Sequence, residues 1–208
     1  MLIISRRRFF TGIGALGLSL GLGVTRAVAD QGDNTIYLTF DDGYVGTLEK
    51  ARALNALGVT GTFFLTGQAI EWHGREVEEA VNLGNRLGNH TYDHPNLTRL
   101  TGAQVAREIQ RCEDSANRVL GVSTTPLLHA PYFADNAFVR DIAGQMGFSS
   151  IHTTWDTNDW AGASASYVAN RIRPGVVTMH TQGRFTVAAL NLVVPQLVEQ
   201  GYSFGVLG

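Results

Sequence analysis

The chain has 208 residues, 44% of them hydrophobic and 16% charged, and a formal net charge of −2. That length suits one domain with its own core, and the composition excludes a disordered or low-complexity chain. The charge leaves no excess of basic residues for nucleic acid, and the lone cysteine, Cys112, excludes an internal disulfide and reads as a packing residue.

At the N-terminus, Ser5-Arg6-Arg7-Arg8-Phe9-Phe10 is a basic segment, and an uncharged Gly/Leu-rich run covers residues 11–24. Ala27-Val28-Ala29 then offers small residues at a cleavage position. This is the pattern of a bacterial signal peptide, and the paired arginines before Phe9 resemble the twin-arginine type. A membrane anchor is the alternative reading, but the apolar run is short for a span of roughly 20 residues. Residues 1–29 are therefore expected to be an export signal and residues 30–208 the folded domain. The mature protein would be periplasmic or extracellular, with no stable membrane insertion. Losing four arginines and no acids would take the formal charge from −2 to −6. An acidic domain disfavours nucleic acid and anionic membrane faces, and leaves a neutral polymer compatible.

From Asp30 onward, short β-branched or aromatic runs alternate with longer helical patterns. Residues 36–40 form the first expected strand. Residues 47–57 follow as a helix stopped by Gly58, and residues 59–65 as a strand buried on both faces. Residues 75–87 read as a second helix closing at Gly88, before a short strand end at Asn89-His90-Thr91. Thr101-Gly102-Ala103-Gln104 is a capping box that opens a helix reaching Leu120. Residues 126–129 are a short strand, Asp135 or Asn136 caps a helix to Met146, and residues 148–154 are the next strand. Residues 166–173 form a short helix stopped by Pro174-Gly175. Residues 176–179 are a strand, 187–200 the last helix and 202–207 the last strand.

Seven strands alternating with helices indicate a parallel α/β architecture, either an open doubly wound sheet or a barrel. Asp41-Asp42, His90, His129, Asp159 and His180 each follow an expected strand. In a barrel all C-terminal strand ends share one rim, whereas an open sheet would string these residues along an edge. A closed or nearly closed barrel is expected.

The chemistry starts at Thr39-Phe40-Asp41-Asp42-Gly43. Adjacent strand residues point to opposite faces, so two acids in a row normally diverge. The glycine permits a sharp turn that brings both to one place, where they repel unless a cation or a shared proton intervenes. His90-Thr91-Tyr92-Asp93-His94 supplies two imidazoles four apart, and Pro95-Asn96 argues for a loop. One carboxylate with two imidazoles is a three-ligand set with open positions, typical of catalytic zinc; iron, cobalt and nickel also fit. Tyr92 and Asp93 read as loop shapers or as residues that support the ligands from behind, Asp156 as a loop or cap residue, and His73 and His152 carry no functional case.

The motifs Thr39-Phe40-Asp41-Asp42-Gly43, His90-Thr91-x-x-His94, Ala130-Pro131-Tyr132, Asp156-x-x-Asp159-Trp160 and Val177-Thr178-Met179-His180 occur in this order. Together they resemble the five motifs of the polysaccharide deacetylase family, carbohydrate esterase family four. The resemblance implies a distorted seven-stranded (β/α) barrel that removes acetyl groups from a glycan with one divalent metal. It makes Asp42, His90 and His94 the metal ligands, Asp41 the general base and His180 the general acid. Asp159 would pair with His180 and raise its pKa, the backbone N–H of Tyr132 would hold the oxyanion, and Trp160 would wall the acetyl pocket. The expected substrate is an N-acetylglucosamine-containing glycan, peptidoglycan or chitin-like. An O-acetyl (acetylxylan) esterase and a catalytically weak glycan-binding member are the alternatives.

One position departs from the pattern. Where the family usually has an arginine paired with the base, His129 stands. Arginine is permanently charged and bidentate, while histidine titrates near neutrality. Either His129 partners Asp41 only when protonated, or an arginine outside the motif orients it. A weaker or more pH-sensitive enzyme is the expectation. The family's acid after the terminal histidine is also missing, with Thr181 in its place.

Overall fold

The structure is a computed structural model and describes residues 34–208. The expected export signal lies outside the described residues. Strand β1 (Thr35–Asp42) is the spine of the sheet. Its alternation sends Ile36, Leu38 and Phe40 outward into the core beneath the helices, and Tyr37, Thr39 and Asp41 toward the barrel interior. Phe40 stacks on Phe63 at 4.8 Å between ring centroids, and each such fully buried side chain contributes about 1.5–3 kcal/mol.

The other strands are β2 (Thr62–Leu65), β3 (Arg86–Asn89), β4 (Leu127–Leu128), β5 (Ser149–Ser150), β6 (Trp155–Asp156), β7 (Gly175–His180) and β8 (Ser203–Gly205). The order is β5-β4-β3-β2-β1-β7-β6, every pair parallel, with β8 added to the start of β1. Helices α1 (Thr47–Ala56), α2 (Gly67–Trp72), α3 (Gly74–Asn82), α4 (Gly102–Leu120), α5 (Ala137–Gln145), α6 (Ala165–Ala169) and α7 (Thr186–Glu199) connect them. Inside the barrel, Phe64 of β2 fills the space over Gly88 of β3; a Cβ on Gly88 would lie 2.5 Å from its ring. Tyr37, Leu127, Ile151, Val176 and Leu207 complete that inner cluster.

The expected distorted barrel is what the sheet forms, and its distortion has a location. The strand expected over residues 148–154 is two short strands with an irregular piece between them. Ile151 N–H donates to Leu128 O at 2.7 Å, and Thr154 N–H donates to Val176 O at 2.8 Å. One stretch of chain thus leaves β4 and arrives at β7. It closes the barrel covalently where, among the described residues, β5 and β6 do not pair.

The helix expected over residues 75–87 also needs correction. It ends at Asn82, and Gly84 turns the chain with φ 90°. Asn85 then accepts from Gly61 N–H and donates to Ala80 O, which starts β3 beside β2. Helix α2 was not expected at all; Thr66 caps it by accepting from Ala69 N–H at 3.2 Å. The capping box at Thr101 and the helix end at Gly121 agree with the sequence reading. Cys112 is buried, and burial pushes its thiol pKa up to about 12, so it is a packing group.

Candidate active site

Strand register decides which side chains meet. Asp41 of β1 lies level with His180 of β7 and Asp42 level with Leu65 of β2. His90 N–H donates to Leu65 O at 3.2 Å, and His129 N–H to Asn89 O at 3.0 Å. The ends of β1, β2, β3, β4 and β7 thus form one rim, as a parallel barrel requires. The turn that aims both acids at one place begins a residue earlier than glycine. Asp42 itself is left-handed (φ 78°), followed by Gly43 (φ 92°). A Cβ on Gly43 would sit 2.8 Å from Leu65 Cδ2, so the chain turns there only because nothing protrudes.

Asp42, His90 and His94 come together. Asp42 Oδ1 is 3.6 Å from His90 Nε2 and 3.2 Å from His94 Nε2. His90 Nδ1–H donates to the carbonyl of His129 at 2.7 Å, which leaves Nε2 of the neutral ring as a lone-pair atom facing a carboxylate. Two acceptors face each other there, and a cation resolves the conflict. Ligands of a tetrahedral ion with bonds of about 2.0–2.2 Å lie roughly 3.3–3.6 Å apart. The donor set fits a divalent metal. Burial disfavours the Asp42 charge; with protonated imidazoles in place of an ion, hydrogen bonds from His90 and His94, the charge of His90 and the Gln182 hydrogen bond outweigh it and hold the Asp42 pKa far below the usual carboxylate range.

Asp41 is almost wholly buried and faces His129 instead. His129 Nδ1–H donates to the Asp41 carboxylate, 2.9 Å from Oδ2 and 3.0 Å from Oδ1. Among the described residues no arginine hydrogen-bonds Asp41, so of the two expected partners His129 occupies the place. Burial raises the Asp41 pKa, yet the His129, His90 and His180 charges and the His129 hydrogen bond leave it below its ordinary value. Behind His129, Nε2 meets Thr153 Oγ1 at 3.2 Å, and Thr153 meets Thr178 of β7 at 2.8 Å. The closing segment of the barrel thereby supports the imidazole beside the acid.

Across the rim, His180 Nδ1–H donates to Asp159 Oδ1 at 2.9 Å, and its backbone N–H donates to Oδ2 at 3.0 Å. Thr186 Oγ1–H donates to the same Oδ2 at 2.6 Å. Burial lowers the His180 pKa, but the Asp159 hydrogen bond and the charges of Asp41, Asp159 and Asp42 outweigh it and leave it raised. The protonated form therefore persists to higher pH than in a free imidazole. Its contribution to stability is full below the unfolded pKa and is lost as pH rises through the folded one. Asp159→Asn is expected to move the basic limb of any activity carried by His180 down by about 1 pH unit or more. A pH–rate profile at saturating substrate reads this directly; an unmoved limb would show that Asp159 does not tune His180.

A cleft of about 390 Å³ opens over these groups, lined by Asp41, Asp42, His90, His94, Tyr132, Phe133, Asp156, Trp160, His180 and Gln182. Tyr132 is left-handed (φ 60°) and packs edge-on against His94 at 4.7 Å. Trp160 is 60% exposed with its ring 6.4 Å from His180, so it walls the cleft rather than the core. Trp155 packs against the core and donates from Nε1 to Pro174 O at 2.9 Å. Asp156, expected in a loop or cap, instead ends β6 level with Thr178 of β7, where it accepts from Asn158 N–H and lines the cleft. His152 pairs with Asp135 on the wall of a neighbouring cavity.

The chain's resemblance to known proteins agrees with this arrangement. The polysaccharide deacetylase family model matches residues 29–151. The chain belongs to the polysaccharide deacetylase family. A peptidoglycan-N-acetylmuramic acid deacetylase of Bacillus subtilis is 28% identical over 83% of this chain and 69% of its own length. A peptidoglycan-N-acetylglucosamine deacetylase of Bacillus cereus is 32% identical over 81% of this chain and 65% of that protein. The solved family 4 carbohydrate esterase from Streptomyces lividans, in complex with acetate, superposes with a TM-score of 0.76 at 30% identity, over 84% of this chain and 91% of that one. Membership in this metal-dependent family and the Asp42-His90-His94 geometry point to the same chemistry.

Two contributors escaped the sequence reading, Gln182 and Glu108, and a third, Thr181, was named there without a role. Gln182 donates to Asp42 Oδ2. Thr181, where the family's acid is missing, is buried; its hydroxyl accepts from Gly43 N–H at 2.9 Å and its N–H donates to Asp41 O at 3.1 Å. It ties β7 to the turn after the two acids. Glu108 of α4 did leave a visible signal: an acid among Val105, Ile109 and Cys112 on the buried stripe of an amphipathic helix.

Proposed function

We propose that this chain hydrolyses the 2-acetamido groups of N-acetylglucosamine-containing glycans, with peptidoglycan as the leading substrate and a chitin-like polymer next. The observation that carries the reading is the Asp42 carboxylate set between two imidazoles, with a second acid and an Asp159-bonded histidine, His180, facing the same cleft. A divalent ion held by Asp42, His90 and His94 supplies Lewis-acid activation of water and of the acetyl carbonyl. Zinc suits one carboxylate and two imidazoles, and cobalt, nickel or iron fit the same donors.

The residues divide the proton work between them. Asp41, ionised and oriented by His129, takes a proton from the attacking water. His180 carries its proton on Nε2, because Nδ1–H is engaged by Asp159. It delivers that proton to the departing nitrogen. Tyr132 contributes its backbone N–H to the developing oxyanion, and Trp160 shields the acetyl group from bulk water. Asp159 touches no reacting atom and acts by holding His180.

The amide reading is favoured over an O-acetyl ester by that acid. An amine leaves only when protonated, whereas an alkoxide departs with less help, so a histidine with a raised pKa serves C–N cleavage most. The full set of base, acid and ligands likewise favours an enzyme over a silent glycan-binding domain. The formal charge of −6 expected for residues 30–208 disfavours a nucleic acid partner. Arg6 to Arg8 and the apolar run behind them support export to the periplasm or beyond, where such glycans lie.

An acetate-release panel tests the reading: peptidoglycan, chitooligosaccharides and acetylated xylan, after chelation and re-addition of single metals. Metal-dependent release from the N-acetylated glycans is the expected result. Release from xylan alone would replace it with the esterase reading, and metal-independent binding without release would make the domain a silent one.

A further inference from the structure

Glu108 is an acidic side chain only 9% exposed, and it sits where the spacing of α4 calls for an apolar one. Its Oε2 accepts from Tyr92 N–H at 3.1 Å and from Asp93 N–H at 2.9 Å. Those are two of the three residues between His90 and His94. The loop needs such an anchor. Thr91 (φ 67°) and His94 (φ 61°) are both left-handed, a conformation that a β-branched residue rarely adopts unless its surroundings impose it.

The loop's own hydrogen bonds are short-range: Thr91 N–H to Asn89 Oδ1, and His94 N–H to Thr91 Oγ1. Two other elements supply the rest. The N-terminus of α2 donates from Gly67 and Gln68 to the carbonyls of Thr91 and Tyr92. Glu108 takes the amides of the next residues from the α4 side. The peptide between Tyr92 and Asp93 is therefore held at both its carbonyl and its N–H, and the spacing of the two imidazoles is set from outside the loop.

We propose that Glu108 is a positioning residue for the metal site, which preorganises His90 and His94 without touching the ion. It rests on the reading of Asp42, His90 and His94 as the ligands. Without the carboxylate, two backbone amides lose their acceptor in a buried place and the loop relaxes toward ordinary backbone angles. The imidazoles then separate, and metal binding has to draw them back. The cost falls on affinity, while a loaded site regains its geometry.

The protein is stripped with a chelator and titrated with Zn²⁺ against a chromophoric competitor, as wild type, Glu108→Gln and Glu108→Ala, with Tm recorded for each apo form. Zn²⁺ affinity should fall about 10- to 100-fold in Glu108→Ala, the range found when a partner outside the ligand shell is lost. Glu108→Gln should fall less, since one amide oxygen remains to accept. Wild-type kcat should return in both at saturating Zn²⁺. Folded variants that bind Zn²⁺ within twofold of wild type overturn the proposal, whatever their Tm, because a merely structural role moves Tm alone. Should Glu108→Ala fail to fold, Glu108→Gln decides in the same way. A wild type that binds no Zn²⁺ overturns the ligand assignment, and Glu108's role with it.

Discussion

Asp41→Asn should lower kcat for acetate release by about 10³-fold, within the 10²–10⁴ range of a lost general base. Asparagine keeps the shape of the side chain and can still accept from His129 Nδ1–H, so the fold and the neighbouring ligands stay in place. What disappears is the ability to take a proton. Asp41 is suited to that task because it is buried, takes its hydrogen bond from His129 rather than from a ligand histidine, and is held ionised by the surrounding imidazoles. Zn²⁺ affinity should change by no more than a few-fold, since Asp42 and not Asp41 stands between His90 and His94. A variant that retains a tenth or more of wild-type kcat would remove Asp41 from the role of base.

His94→Ala should abolish activity by a different route, through the metal. Partners outside the ligand shell alter metal affinity 10- to 100-fold, so removing a direct ligand should exceed that. The effect is also readable without substrate. A ligand present at a hundred times its Kd stabilises the native state by about 2.7 kcal/mol. For a domain of this size that corresponds to roughly 5–10 °C in Tm. Wild type should show this rise on adding Zn²⁺ to the stripped protein, and His94→Ala should show almost none at the same concentration. Equal shifts in the two proteins would place the ion elsewhere. Together the variants separate the two roles: one proton acceptor that leaves the metal bound, and one ligand set that does not survive losing an imidazole.

Much of this site was legible because its residues come in short, ordered groups. Asp41-Asp42-Gly43 after an apolar strand, and two histidines four apart before Pro95, each carry their chemistry within five residues. The barrel was legible for a related reason. Polar residues following several separate strands make sense only if the strand ends share a rim, and the observed register of β1 with β2 and β7 bears that out. Periodicity misled where local and long-range demands compete. Residues 83–87 look helical, but pairing with β2 draws Arg86–Asn89 into the sheet after the turn at Gly84. Residues 148–154 look like one strand, yet they must serve β4 at one end and β7 at the other.

By itself, then, the amino-acid order determined the architecture, the kinds of group at the site and the departure at His129. Only the tertiary structure decided which groups touch. Gln182 reaches Asp42 across 140 positions and Thr181 reaches Gly43 across 138, while Glu108 grips a loop 15 and 16 residues before it. Spacing along a chain reports neighbours within a helical turn or along one strand. Contacts between strand ends depend on how separate elements are set against one another, and that is fixed by packing the whole barrel at once.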